Sequence, residues 1–285
     1  MPLNAKTVGQ STEPMTQDID ARWLMAYAAG LNDFNDSYMD TTAGDVVAHP
    51  LFPVCLEWPV LLSSRTLPGY ETVTPEEAAR GVHAAHDLHI YRPIRAGDRL
   101  TTKATVIDLA ATKPGAAQAT RLDTTDELGE LVCSTYQLGI SRGVKITGEA
   151  DAVEPMPETP TSDANEVLNE WPIAVGSGAA HIYTECARIF NPIHTDKAVA
   201  LGAGLPDIIL HGTATLALVV TTLIDNCLQG NPERVSRVGG RFTAMVFMPS
   251  TIKVQLKEQT PDTLFFDVIT EDGQVAFSHG YLCFN

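Results

Sequence analysis

Two histidines, an Asn-Pro turn and two groups of glycines stand within one stretch of this 285-residue chain, His181 to Gly212, which reads HIYTECARIFNPIHTDKAVALGAGLPDIILHG. Imidazole changes charge nearest neutral pH, so a histidine held in place can take up or deliver a proton there. His194 meets that condition. Ile182, Cys186 and Ile189 recur at i, i+4, i+7, which predicts a helix over 179–189 with those three on its buried face. Pro192 cannot continue the helix and drives Asn191 towards extended geometry, so His194 belongs on a stiffened loop with its ring turned away from the helix. Further along, His211-Gly212 opens the apolar run Thr213 to Leu228, a helix whose first turn presents unpaired N–H groups and a positive dipole end. A helix start of that kind can hold an oxyanion. The chemistry expected is proton transfer beside a polarised carbonyl.

Asn191-Pro192-Ile193-His194, the Thr195-Asp196 after it, the bridge rich in Ala and Gly, and Ile-Leu-His211-Gly212 resemble the signature of the MaoC-like or hydratase 2 family, D-x-N-P-x-H followed by a hydrophobic stretch and H-G. These are R-specific enoyl-CoA hydratases and related dehydratases. One position departs: the family's acidic residue falls on Ile189, and the small Ser-Gly before it is replaced by Ala187-Arg188. The resemblance implies a carbon–oxygen lyase interconverting a 2-enoyl and a 3-hydroxyacyl thioester, with acyl-CoA as substrate and neither cofactor nor metal. It gives His194 the water proton, Asn191 the water or the loop, and the Gly212 N–H the thioester carbonyl, with His211 in support and Tyr183 among the residues that bind substrate. Glu185 shares a helix face with His181, with which it can pair; it also lies one turn before Ile189 and can send a carboxylate towards the missing acid's place. Arg188 either holds a substrate carboxylate or reaches solvent. Two other functions fit the same scaffold, an acyl-CoA thioesterase and a catalytically silent acyl-binding protein.

The elements that must position these groups occur twice. LMAYAAGLNDFND (24–36) matches YTECARIFNPIHT at an offset of 189 − 31 = 158, HPLFPVCLEWPVLLSS falls opposite DIILHGTATLALVVTT, and DELGELVCSTYQL matches TEDGQVAFSHGYL at 273 − 129 = 144. Each unit reads as helix, loop, long helix and then consecutive strands, without the intervening helices of a parallel sheet. In the second unit the strands are expected in GRFTAMVFM, STIKVQLKEQT, TLFFDVIT and QVAFSHGYLCF. The fold class is therefore α+β, a double hotdog. Its N-terminal unit is 1–148, an acidic, Pro-rich linker is 149–166, and the MaoC-like unit is 167–285. In the first unit Asp36 falls opposite His194, and Pro53-Val54 opposite His211-Gly212, so the first half lacks the chemical groups and is expected to shape the acyl pocket through Phe52, Leu56, Trp58 and Leu61. His83, His86 and His89 lie three apart in a strand, where alternation puts 86 opposite the other two and spoils a three-ligand metal site. A surface or partly satisfied strand is expected there.

A formal charge of −16 and pI near 4.8 exclude nucleic acid as a partner. Coenzyme A would need a local basic patch, for which Arg92, Arg95, Arg99 and Lys103 in one half and Arg234, Arg237 and Arg241 in the other are candidates. No apolar run reaches the 18 or so residues of a membrane helix, and the first fifteen residues lack the regions of a signal peptide, so a cytoplasmic protein is expected. Five scattered cysteines with no C-x-x-C pair indicate neither a disulfide framework nor a zinc site. By analogy with hotdog relatives a homodimer is expected.

Overall fold

A computed structural model describes residues 2–78 and 80–285. The N-terminal half runs β1 (Leu3–Asn4), β2 (Met15–Asp18), α1 (Ala21–Gly30), α2 (Asp36–Met39), α3 (Pro53–Ser64), α4 (Pro75–Ala78), β3 (Gly81–Ile90), β4 (Arg99–Ala111), β5 (Gly115–Thr125), β6 (Leu131–Arg142) and β7 (Ile146–Thr147). The C-terminal half runs β8 (Asn169–Val175), α5 (Ala179–Ala187), α6 (Lys197–Gly202), α7 (Gly212–Cys227), β9 (Val235–Phe242), β10 (Ser250–Gln259), β11 (Thr263–Ile269) and β12 (Val275–Phe284). Ten strands form one sheet in the order β2-β4-β5-β6-β3-β9-β12-β11-β10-β8. The order is a palindrome of the two repeats, and the halves meet where β3 pairs antiparallel with β9, Ala85 opposite Arg241 through His89 opposite Arg237. The result is a double hotdog, two long helices in one continuous antiparallel sheet.

Each repeat contributes one edge strand to this sheet, β2 or β8, that the sequence pattern did not reveal: both are short and pair on one side only. β9 begins earlier than expected, at Val235, and 243–248 are not strand. The buried face of α5 also differs from expectation. Ala180, Tyr183, Thr184 and Ala187 face inwards, whereas Ile182 is 53% exposed, because α5 packs against α1 where Gly30 leaves room for Cys186.

One core serves both halves. Trp23, Phe52 and Leu56 from the first belong to the same buried cluster as Tyr183, Leu216 and Val220 from the second. Residues 148–168 carry no helix or strand, yet are tied to both halves: Val153 N–H donates to Ile107, Arg121 pairs with Glu154, and Arg237 donates to the Glu158 carbonyl. At the seam Arg237 meets Asp87 through two 2.8 Å hydrogen bonds. Burial alone would raise the Asp87 carboxyl; the hydrogen bonds from His89 and Arg237 outweigh it and hold it at about 2.

Candidate active site

Helix α5 ends at Ala187 because Arg188 takes a left-handed conformation, φ 57°, and the chain then extends through Ile189 to Asn191. The Asn191 side chain caps a single 3-10 turn, Pro192–His194, which aims the His194 ring inwards. His194 Nδ1–H donates to the Ile209 carbonyl at 2.8 Å, which fixes the neutral tautomer and leaves Nε2 as the free lone pair. Burial, opposed by that hydrogen bond, lowers the His194 pKa to about 4. His211 stacks on it, with ring centroids 3.6 Å apart, and bonds Thr184 Oγ1 through Nε2 at 3.2 Å. Burial and the neighbouring His194 take His211 to about 2, so both rings are neutral at physiological pH.

His211 also occupies the N-cap position of α7 and gives the helix no side-chain cap, so the first N–H groups, Gly212 first among them, stay open. Gly212 is required by space: a Cβ there would stand 2.9 Å from the edge of the Phe242 ring. Tyr183 Oη–H donates to Thr213 Oγ1 at 3.2 Å and touches Tyr27, so Tyr183 braces the start of α7 from behind.

Ile189, Asn191, His194, His211 and Gly212 line one wall of a cavity of about 600 Å³ that runs across the seam into the first half. That size suits a ligand of several hundred daltons. Trp58 and Leu61 line it as expected of the first half, but Tyr183, buried behind the start of α7, does not, and neither do Phe52 and Leu56. Both are completely buried in the core, where Phe52 lies edge-on to Trp23 and Tyr27. Glu185 is exposed and outside the cavity, because the inward face of α5 is the other one. His181 bonds the Thr195 carbonyl. Arg188 lies over the Trp23 ring, 3.8 Å from its centroid, and does not line the cavity. Most of the candidate cations are occupied by the chain's own acids: Arg92 with Asp98, Arg95 with Glu233, Arg99 with Asp18, Arg237 with Asp87.

The histidines of β3 need correction. Strand alternation fails at Ala84, where the β3–β6 register shifts between His83 and Ala85, and the extra residue turns His83 and His86 to the same side, rings 5.3 Å apart. Neither is a surface residue: His86 is buried, both line the cavity, and His89 instead bonds Asp87. Among the described residues no cluster suits a metal ion. Glu57 on α3 also faces the cavity; burial, opposed by a hydrogen bond from Thr135, pushes it up to about 7.

Structural equivalence also shifts the alignment of the halves. The long helices start at Pro53 and Gly212, an offset of 212 − 53 = 159, so Phe52 rather than Pro53 stands opposite His211. Pro53 at the first helical position leaves no N–H there. Asn35 and Asn191 both cap short turns, an offset of 191 − 35 = 156, which sets Asp33-Phe34-Asn35 against Ile189-Phe190-Asn191 and Tyr38 rather than Asp36 against His194. A carboxylate, Asp33, thus stands opposite Ile189 in the half where Tyr38 stands opposite His194. Asp33 there accepts from Thr221, which contacts His49, beside a void that holds only about one water.

This architecture is shared with known proteins. Residues 162–276 match the family model described as MaoC like domain, and residues 6–135 that described as FAS1-like, dehydratase domain region. Peroxisomal multifunctional enzyme type 2 of Drosophila melanogaster is 24% identical over 279 residues, 93% of this chain and 45% of the relative. Peroxisomal enoyl-CoA hydratase 2 of Arabidopsis thaliana is 25% identical over 257 residues, 82% of this chain and 80% of the relative. The crystal structure of a MaoC-like dehydratase from Phytophthora capsici superposes with a TM-score of 0.83 at 20% identity, covering 98% of each chain. Fold and site together define a double hotdog protein with its candidate site in the second unit. The second half carries a MaoC-like dehydratase domain and the first half a FAS1-like dehydratase region. The chain spans less than half the length of the Drosophila relative.

Proposed function

We propose that this chain is a carbon–oxygen lyase that adds water to a 2-enoyl thioester, with coenzyme A as carrier, and removes it from the 3-hydroxyacyl thioester. The observation that carries the reading is His194: Nδ1–H is committed to Ile209, Nε2 is free at the cavity wall, and the ring is stacked on the residue that precedes the open helix start. In hydration Nε2 takes a proton from water as the water oxygen bonds to C3. The electron pair of the C2–C3 double bond moves onto the thioester oxygen, where the Gly212 N–H and the α7 dipole receive it. The imidazolium then returns a proton to C2 as the carbonyl reforms. A base near pKa 4 is weak, and the charge growing on the thioester oxygen is the partner that offsets the cost of a buried imidazolium. Asn191, at the same wall, holds the loop and can bond the water. With Ile189 at the acidic position, His194 carries both proton transfers.

A thioesterase is the second reading, favoured by one observation: Glu57 is a carboxyl on a central helix that faces the cavity. Mass spectrometry after incubation with crotonyl-CoA and 3-hydroxybutyryl-CoA separates the two. Gain or loss of one water supports the lyase, free coenzyme A supports the thioesterase, and unchanged thioesters leave a binding protein. We propose the cytoplasm and a homodimer as its setting. No helix among the described residues is long and apolar enough to cross a membrane, and sedimentation at several concentrations reads the assembly.

A further inference from the structure

The concave faces of the two repeats are not alike. In the second, Ile252, Val254, Leu264, Phe266, Val268 and Leu282 are buried and apolar. In the first, the corresponding sheet brings His86, Gln118 and Gln137 to the cavity wall, with Glu57 facing them from α3. His86 is 2% exposed, and neither ring nitrogen has a hydrogen-bond partner. Its cross-strand neighbour on β9 is Gly240, which brings no side chain, and the one on β6 is Gln137. His83 Nε2 is likewise buried without a partner, and its ring packs against Phe242, centroids 4.7 Å apart, whose edge closes on Gly212. The polar groups therefore begin one aromatic ring away from the helix start. Gln118 is engaged by Tyr70 and bonds Thr120; both ring nitrogens of His86, and Nε2 of His83, are not so engaged.

A buried polar atom left without a partner is costly, and these face a space large enough for a ligand. We propose that the first-half end of the cavity is a subsite for a hydroxyl group on the acyl chain, held by His86 with His83 beside it. A hydroxyl both donates and accepts, so it can bond a neutral imidazole at whichever nitrogen faces the cavity, N–H or lone pair. Burial holds His83 and His86 neutral, at about 3 and about 4, and Glu57 near 7 is at least partly protonated, so an uncharged oxygen suits the site better than a carboxylate. The preferred substrate is then an oxygenated enoyl thioester. A plain alkyl chain would leave the same atoms unpaired, and sites built for a hydroxyl reject the analogue lacking it.

The inference rests on reading the cavity as an acyl-thioester site, and binding tests it without turnover. Calorimetric titration uses hexanoyl-CoA and octanoyl-CoA, each beside its terminally hydroxylated counterpart, on the intact chain, on His86→Leu and on His86→Gln. The intact chain binds at least one hydroxylated member about tenfold more tightly than its plain counterpart. His86→Leu abolishes or reverses that preference, and His86→Gln, which keeps a donor and an acceptor, retains part of it. Equal or weaker binding of the hydroxylated members by the intact chain, or a preference that survives in folded His86→Leu, overturns the subsite alone. Failure of all four thioesters to bind overturns the acyl-site reading and the subsite with it. Crotonyl-CoA hydration, read in parallel, judges the lyase separately: a hydroxyl preference without hydration keeps the subsite and removes the reaction.

Discussion

His194 divides its two nitrogens between structure and chemistry, and a pH profile reports on that division. Because burial holds its pKa at about 4, the base form persists far below the ordinary histidine range. The acid limb of kcat/KM for a simple enoyl-CoA is predicted near pH 4 to 5; a limb at 6.5 would mean a solvated ring. Ile189 adds a second prediction. Its side chain lines the cavity beside Asn191, so Ile189→Asp supplies the group that general acid–base chemistry there lacks, a contribution of about 10² to 10⁴ where both groups act. Crotonyl-CoA hydration is predicted to rise about tenfold while Tm falls, since the new carboxylate is buried. Loss of stability without that gain would show a site adapted to work without an acid. The placement of His194 on a loop and of Gly212 at a helix start was legible in sequence because Pro192 and the apolar run are local signals. His86 was not: its direction depends on a bulge at Ala84 that local pattern does not encode. Glu185 misled because helix periodicity was assigned to Ile182, whose side faces solvent, whereas Arg188 took the second of its two expected places and is exposed.

At the start of α7 it is backbone geometry, and not a side chain, that is proposed to receive the thioester oxygen. Gly212→Ala keeps the N–H but drives a methyl into the Phe242 ring, which His83 and Phe277 confine. Overpacking of this kind costs about 1 to 3 kcal/mol. Gly212→Pro meets the same ring and also deletes the donor, whose loss costs about 10² to 10³ in kcat. The proline variant is therefore predicted to lose far more turnover than the alanine variant at similar loss of Tm. Equal losses would place the carbonyl elsewhere. At this scale the sequence showed both long helices and most strands, since apolar runs and alternation mark them. It missed β2 and β8, four and seven residues long at the sheet edges, where only one neighbour constrains the pattern.

Across the molecule, two repeats share one sheet, one core and one cavity, and the second half's site opens into a space shaped by the first. The tandem pattern announced the repeat, but the chain text could not say that the first half's wall would be polar. Five histidines are buried with lowered pKa values, His49 and His83 at about 3, His86 and His194 at about 4, His211 at about 2. Below the unfolded value of 6.5 the unfolded chain binds protons that the folded chain refuses, so stability falls as pH falls from about 6.5 towards 4. Glu57 acts oppositely between 4.5 and about 7, and Asp33 and Asp225, which burial also raises, act oppositely above 3.8, because there the folded chain holds the extra proton, but these are three carboxyls against five histidines. Tm followed by calorimetry is predicted to drop steadily across that window; a flat profile would mean that the histidines are solvated.

The most direct test of the central claim is the hydration rate of crotonyl-CoA by the intact chain and by His194→Gln, followed at the absorbance of the conjugated double bond, with the product's mass checked. The intact chain is predicted to form the 3-hydroxyacyl thioester and the variant to lose at least about 10² in kcat, at an unchanged fold. Hydration by His194→Gln at the intact rate, or free coenzyme A as the only product, would contradict it.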